Sequence, residues 1–293
     1  MKVTGFTFIR NAEKFGYPIV EAIRSILPLC DEFVVAVGNS TDNTIGLIQA
    51  IGSSKIRLIH TIWNDELREG GRVLAEETDK ALAAISADTD WAFYIQGDEV
   101  LHEQYLDTVR QAMQDNLNDL GVDGLLFKYL HFYGSFRYVG DSRRWYRREI
   151  RVIRHTGNVA SYRDAQGFRK KDNTKLRVKL IDAYIYHYGW VKPIELQRAK
   201  VGYFYRFWHS EEAMQRVANE AKQFSYEQHI DSLAEFTGTH PAVMLPRIAS
   251  TNNSFTFDTR QRRYSPRVRI LTFIEKLTNW RIGEYKNYRL LGK

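Results

Sequence analysis

Cysteine is almost missing from this chain of 293 residues: Cys30 stands alone, so no intrachain disulfide can form and a small secreted fold stapled by bridges is excluded. Long apolar runs are missing too, and none approaches the ~20 residues that a bilayer-spanning helix needs. The opening residues, Met1 to Ile9, read as a strand rather than as the charged and then apolar stretch of a secretory leader. No internal repeat or low-complexity tract is found, which excludes solenoids and compositional disorder. The expectation is a cytoplasmic protein, with peripheral contact at the inner face of the membrane as the one membrane option.

What is present fits a globular protein. Apolar residues make up 44% and charged residues 26%, enough for a large core in one α/β unit with an extension. Aromatic residues reach 13%, with Tyr and Phe well ahead of Trp. Tyr suits surfaces that are half apolar and half polar, carbohydrate sites among them. The net charge of +7 is unevenly spread. From Arg260 to Lys293 there are ten lysines and arginines against Glu275 and Glu284, an excess of eight. Such a tail fits nucleic acid, an anionic membrane surface or a phosphorylated small molecule, and composition does not choose among them.

Along the first hundred residues, strand and helix patterns alternate. Val3–Ile9 and Ile56–Ile62 read as strands, Phe33–Val37 is a continuous apolar run of the kind covered on both faces, and Trp91–Ile95 is another buried strand. Between them, Pro18 to Pro28 brackets Ile19, Ala22, Ile23, Ile26 and Leu27 at helical spacing. Thr41 or Asp42 can cap a helix carrying Ile45, Ile48 and Ile51, and Leu74 to Ile85 marks a third helix. The alternation predicts a doubly wound, mostly parallel sheet. Beyond Asp98 comes a helix around Val109 to Leu117. Longer strands follow at Gly124–Tyr133, Trp145–Arg154 and Lys179–Tyr188, pointing to antiparallel or mixed additions. From Pro193 to about Ser232 the chain reads as helical, then as turns from Gly238 to Pro246, a polar stretch to Pro266 and a last helix over Val268–Trp280.

Ligands of doubly wound sheets bind beyond the carboxyl ends of the strands. Three post-strand segments therefore matter: Ile9-Arg10-Asn11, Gly38-Asn39-Ser40-Thr41-Asp42-Asn43-Thr44, and Gln96-Gly97-Asp98-Glu99. In a parallel sheet all three share one edge. Polar groups at the first strands suit a nucleotide, and a carboxylate suits a divalent ion that neutralises a diphosphate.

These segments resemble those of the family-2 glycosyltransferases, inverting enzymes of the GT-A fold. Their second strand ends in Asp-Asp-Gly-Ser-Thr-Asp-Gly-Thr, and the run here is Val37-Gly38-Asn39-Ser40-Thr41-Asp42-Asn43-Thr44. Their metal motif is Asp-x-Asp, and here it reads Gln96-Gly97-Asp98. Asp164, followed after a strand by His187 in His187-Tyr188-Gly189-Trp190, matches the family's base carboxylate and its later histidine. The resemblance covers about Lys2 to Trp190. Two departures stand out: the acidic pair that contacts the nucleotide is Val37 and Gly38, and the first metal aspartate is Gln96.

The resemblance implies a GT-A-type α/β fold, a doubly wound mixed sheet with a mostly parallel core and a helical C-terminal extension. Residues 1–192 would form the catalytic, nucleotide-sugar-binding domain and 193–293 the basic extension. It implies donor contacts from Ile9, Arg10, Asn11, Asn39, Gln96 and Gly97, and a Mg²⁺ or Mn²⁺ ion on Asp98 and His187. Asp164 would be the general base, with Asp141 and Glu149 as competitors. Arg144, Arg147 and Trp190 would meet acceptor or phosphate. The partners are a nucleotide-sugar donor, a UDP-sugar in the first instance, and a glycan or lipid-linked acceptor, without nucleic acid.

Other readings compete. Asp98-Glu99 can be a helix cap and His187 a structural histidine among aromatics. The run Arg143-Arg144-Trp145-Tyr146-Arg147-Arg148 can be a solvated strand face or, with its aromatics, a nucleic-acid surface. Val268, Leu271, Ile274 (or Phe273), Leu277 and Trp280, ringed by Arg267, Arg269, Lys276 and Arg281, can form an amphipathic helix on anionic lipid or pack on the body. The alternative function is a non-catalytic or nucleic-acid-binding protein on the same scaffold. A nucleotidyltransferase is disfavoured, because no Gly-rich loop with a basic residue follows the first strand.

Overall fold

The sheet is assembled from the apolar runs that the sequence marks out. The computed structural model describes residues 1–67, 70–208, 216, 219–252 and 254–292. Part of the expected helical run from Pro193 to Ser232, at 209–215, 217 and 218, lies outside them, as do Asn253 of the polar stretch and Lys293 of the basic tail.

β1 (Val3–Ile9), β2 (Glu32–Val37), β3 (Ile56–His60) and β4 (Trp91–Tyr94) form the parallel core in the order β4-β1-β2-β3. Both faces are covered. In β2, Phe33, Val35 and Val37 join one apolar cluster while Val34 and Ala36 join the opposite one. The first face is packed by α1 (Ile19–Ile26) and α4 (Leu106–Asp115), the second by α3 (Arg72–Ala83). Burial of Ile19, Ala22, Ile23 and Ile26 follows the helical spacing read from the sequence. The short α2 (Thr44–Gln49) has Asn43 at its N-cap rather than the expected Thr41 or Asp42, and Asp42, one residue earlier, accepts the amide of Thr44 on Oδ1 at 3.1 Å.

Beyond β4 the sheet turns antiparallel. β5 (Glu99–Leu101) is followed by β6 (Gly124–Tyr133), β7 (Ser135–Gly140), β8 (Arg148–Arg154) and the long β11 (Leu176–Trp190). β8 lies antiparallel between β4 and β6, while β11 runs parallel to β6 and antiparallel to β5. β9 (Val159–Tyr162) and β10 (Gly167–Lys170) form a separate hairpin that leads through Asp164. The expected α/β class with a parallel core and mixed additions is the observed one.

The C-terminal part carries α5 (Ile194–Phe204), the short α6 (Leu245–Ser250) and α7 (Pro266–Thr278). It also returns two short strands to the sheet: β12 (Leu233–Glu235) on β7 and β13 (Tyr288–Leu290) beside β11. α7 starts at Ser265, whose hydroxyl accepts the Val268 amide, with Pro266 in the first turn. It stops at Asn279, held in the left-handed region at φ 56°. No helix among the described residues is long and apolar enough to cross a membrane.

Candidate active site

The ends of β1 and β2 are stitched together by the residues between them. Asn11 takes a left-handed conformation (φ 55°) that asparagine tolerates better than most residues. Its Oδ1 accepts the Thr41 amide at 2.8 Å, its own amide donates to Ser40 Oγ at 3.0 Å, and the Ala12 amide donates to Thr44 Oγ1 at 2.7 Å. The polar run after β2 is therefore used largely to hold two strand ends in register. Gly38, where the family has an acidic residue, has a spatial reason. A Cβ there would stand 2.4 Å from Nε1 of Trp63, so the indole fills the place of a side chain.

At the end of β4, the loop Gln96-Gly97-Asp98 is anchored from below. Glu99 is fully buried and accepts two hydrogen bonds from Arg151, at 2.7 and 2.8 Å, one from the Tyr129 hydroxyl at 2.7 Å and one from the Gln96 amide at 3.1 Å. Arg151 lies over the rings of Tyr94 and Tyr129, which share the task of desolvating it. Glu99 thus serves as the buried partner of a charge pair, which leaves Asp98 as the carboxylate of this loop that faces the cavity. Gln96 uses its amide to reach the carbonyl of Ala165 at 3.0 Å and so ties this loop to the one bearing Asp164.

Pairing of β5 with β11 sets His187 opposite Glu99 and beside Asp98. Nε2 of His187 is 3.7 Å from Asp98 Oδ1, and Lys200 Nζ is 3.2 Å from Asp98 Oδ2. Gly189 permits this approach, since a Cβ there would meet Asp98 Oδ2 at 2.6 Å. The partners of His131 assign the proton positions. Its Nε2 lies 2.8 Å from the Tyr146 carbonyl, which only accepts, so Nε2 carries the hydrogen. Its Nδ1 is then a lone pair, 3.3 Å from His187 Nδ1, which must be the donor. Burial pushes His131 down to about 3 and lowers His187 as well, leaving both rings neutral at pH 7. His187 Nε2 therefore keeps its lone pair, close to a carboxylate oxygen.

Burial opposes the charge on Asp98, but the surrounding basic groups, the Lys200 ammonium first among them, together outweigh burial and hold the carboxyl well below its usual range. An ionised oxygen and an imidazole lone pair, adjacent, are donors that fit Mg²⁺ or Mn²⁺. Among the described residues no group of three or more His, Cys, Asp or Glu side chains is arranged to hold a metal. The remaining ligands would have to be phosphate oxygens and water.

Asp164 sits in a strained turn: Arg163 and Ala165 on either side have φ of 57° and 62°, a region that costs non-glycine residues about 1–2 kcal/mol. It is half-buried, and burial raises its carboxyl above the ordinary value. A Cβ on Gly71 would come within 2.6 Å of both Asp164 and Trp208, so that glycine lets the start of α3 close against the turn.

One cavity of about 770 Å³ collects these groups. Ile9, Arg10, Gln96, Gly97, Asp98, Arg144, Asp164, His187 and Trp190, all singled out by sequence, line it. Asn11, Asn39 and Arg147 are not in the lining. Asn11 is committed to the strand-end hydrogen bonds, and Asn39 accepts the Trp63 amide at 3.4 Å. Arg147 pairs with Glu284 at 2.8 Å and with Glu275 at 3.3 Å. The competing base candidates lie elsewhere too. Asp141 binds Ser232 at 2.5 Å and Arg262 at 3.2 Å, while Glu149 is buried against Gln166 and pushed up to about 8 by that burial. In the arginine run, Arg143 pairs with Glu275 and Arg147 with Glu284, so its guanidinium groups are largely spent inside the molecule.

Sequence reasoning missed the opposite wall. Phe8, Tyr17, Trp63, Leu74, Gln197, Lys200, Val201, Phe204, Tyr205, Trp208, Phe224 and His229 complete the lining, most of them from α5 and beyond. Trp63 was findable: it follows β3 at the same edge as the other strand ends. Lys200 carried no motif to mark it.

No known family profile matches the chain, and no curated protein does. Among solved structures, it is similar to glucosyl-3-phosphoglycerate synthase from Mycobacterium tuberculosis in complex with Mn²⁺, UDP and phosphoglyceric acid. That match has 25% identity and a TM-score of 0.30, and spans 44% of this chain and 43% of the other. It is similar to S. aureus TarS 1-349 at 15% identity and a TM-score of 0.39, over 76% and 71% of the two chains. A longer S. aureus TarS structure gives 18% identity and 0.40, over 76% and 43%. At TM-scores of this size, the reading of function rests on the site.

Proposed function

We propose that the protein is a glycosyltransferase that moves a sugar from a nucleotide-sugar donor, a UDP-sugar in the first instance, to an acceptor hydroxyl. The observation that carries this reading is the meeting, in one cavity at the strand ends, of a carboxylate–imidazole pair, a separate raised carboxylate and an aromatic wall. We take residues 1–192 as the donor-binding unit and 193–293 as the extension that closes over it.

Asp98 and His187 would hold the divalent ion, which when bound supplies positive charge to the departing diphosphate. The chain's own residues do the rest. Trp63, Phe8 and Trp208 offer ring faces for a nucleobase, replacing the carboxylate contact that Gly38 cannot make. Asp164 takes the proton from the acceptor hydroxyl. Burial raises its affinity for that proton, which matches it to the task. With one carboxylate in this role, the reading is a single displacement with inversion. Trp190, Arg144 and His229 would border the acceptor.

An acceptor at a membrane surface is favoured by one feature. Ile270, Phe273, Leu277 and Trp280 form an exposed stripe along α7 and its end, 62–69% accessible, with Arg267, Arg269 and Lys276 exposed around them. The stripe is turned from the face expected, because Val268, Leu271 and Ile274 are partly covered by the body. Apolar residues among cations fit an anionic lipid surface.

The test is thermal shift against UDP-glucose, UDP-galactose and UDP-N-acetylglucosamine with and without Mn²⁺, followed by Asp164→Asn. A UDP-sugar should raise the Tm. Asp164→Asn should cut transfer at least about a hundredfold with donor affinity within a few-fold. Full transfer by that variant would remove Asp164 from the mechanism.

A further inference from the structure

Lys200 decides the charge balance of the site. It projects from α5 to place Nζ 3.2 Å from Asp98 Oδ2 and 3.2 Å from the Gly189 carbonyl, above the Tyr17 ring. Asp98 thus has one oxygen facing His187 Nε2 and the other facing an ammonium. With Gln96 in place of a second aspartate, one negative charge must satisfy whatever cations gather there.

We propose that Lys200 is a stand-in cation: it neutralises Asp98 while no metal is bound, gives up the carboxylate when a divalent ion arrives with the donor, and then binds the diphosphate. This rests on the donor reading above. A carboxylate held by an ammonium is a poor ligand for a free dication, because the two positive charges compete for it. A nucleoside diphosphate reverses the balance by bringing enough negative charge for both. Lysine suits the exchange, since its head is a point charge on a flexible four-carbon stem with no fixed fork to break. Its two contacts are long for charge-assisted bonds, which normally fall near 2.7–2.9 Å, and so are readily surrendered. The neighbouring buried amine, Lys192, stays out of the exchange: its Nζ donates to the Phe15 carbonyl at 2.8 Å and lies over the Tyr17 ring.

The exchange predicts opposite signs for one substitution. In the full chain, Lys200→Met should bind Mn²⁺ alone about fivefold more tightly, read by electron paramagnetic resonance titration. The same variant should bind UDP, at saturating Mn²⁺, about tenfold more weakly by calorimetry. Lys200→Arg, which keeps the charge but adds a fork that grips the carboxylate, should bind Mn²⁺ no more tightly than wild type. Lys200→Gln repeats the measurement with a polar head should the methionine unfold the chain. Unchanged or weaker Mn²⁺ binding in the neutral variants, or undiminished UDP binding, overturns the role of Lys200 and leaves the donor reading standing. A wild-type protein that binds UDP neither with nor without Mn²⁺ overturns both.

Discussion

One wall of the cavity is made of strand ends, the other of α5 and the aromatic residues after it, and different forces hold them. The strand wall is a lattice of buried hydrogen bonds. Asn11, Ser40 and Thr44 lock two loops together, and Glu99 with Arg151 locks the third. The α5 wall presents Phe204, Tyr205, Trp208 and the ammonium of Lys200, and its contacts among the described residues include Tyr203 on the Phe15 ring, Phe207 on the Trp63 ring and the Gly71 amide on the Phe207 carbonyl at 3.0 Å. A satisfied polar network defines one geometry, because any unpaired member is costly. Ring contacts and a flexible amine tolerate movement. The difference places rigid positioning on one side and adaptable binding on the other.

Three experiments probe that division. The largest effect should come from Arg151→Met, which strands Glu99 as an unpaired buried charge. Urea unfolding should show a loss of about 3–5 kcal/mol, and a loss below about 1 kcal/mol would deny the strand wall its anchor. Next is Glu149, also under the strand wall, held at about 8 against an ordinary 4.5. Between those values the unfolded chain has lost this proton while the folded chain keeps it, so the group makes stability fall as pH rises through that window. Glu149→Gln should match wild type near pH 4 and exceed it by roughly 2–4 kcal/mol at pH 8. A gap independent of pH would contradict the assignment. The smallest effect belongs to the other wall. Trp208→Ala should weaken UDP binding by about 1–2 kcal/mol with unfolding midpoints nearly unchanged. A large stability loss would show that this wall is as rigid as the first.

Much of the strand wall was legible. Val3–Ile9 and Gly124–Tyr133 were read with the bounds observed, and β2 with a one-residue difference, because apolar runs of strand length between turn residues have few other uses. The rule that ligands meet strand ends brought Arg10, Gln96, Gly97 and Asp98 to the cavity. It failed for Asn11, whose polar side chain serves the backbone, and it was not carried on to β3, where Trp63 waited. β12 and β13 were missed, being only three residues each and paired over long distances. The arginine run misled because composition shows charges but not their partners: Arg143 and Arg147 meet Glu275 and Glu284, more than 120 residues away.

Local chemistry thus settled the α/β alternation, the parallel core and the strand-end loops, since these follow from short-range periodicity and from which residues tolerate turns. The charge state of the site was a tertiary matter. Whether Asp98 faces a lone pair, an ammonium or both, and whether Glu149 keeps its proton, depends on desolvation and on partners brought from distant segments. A linear order of residues carries neither quantity.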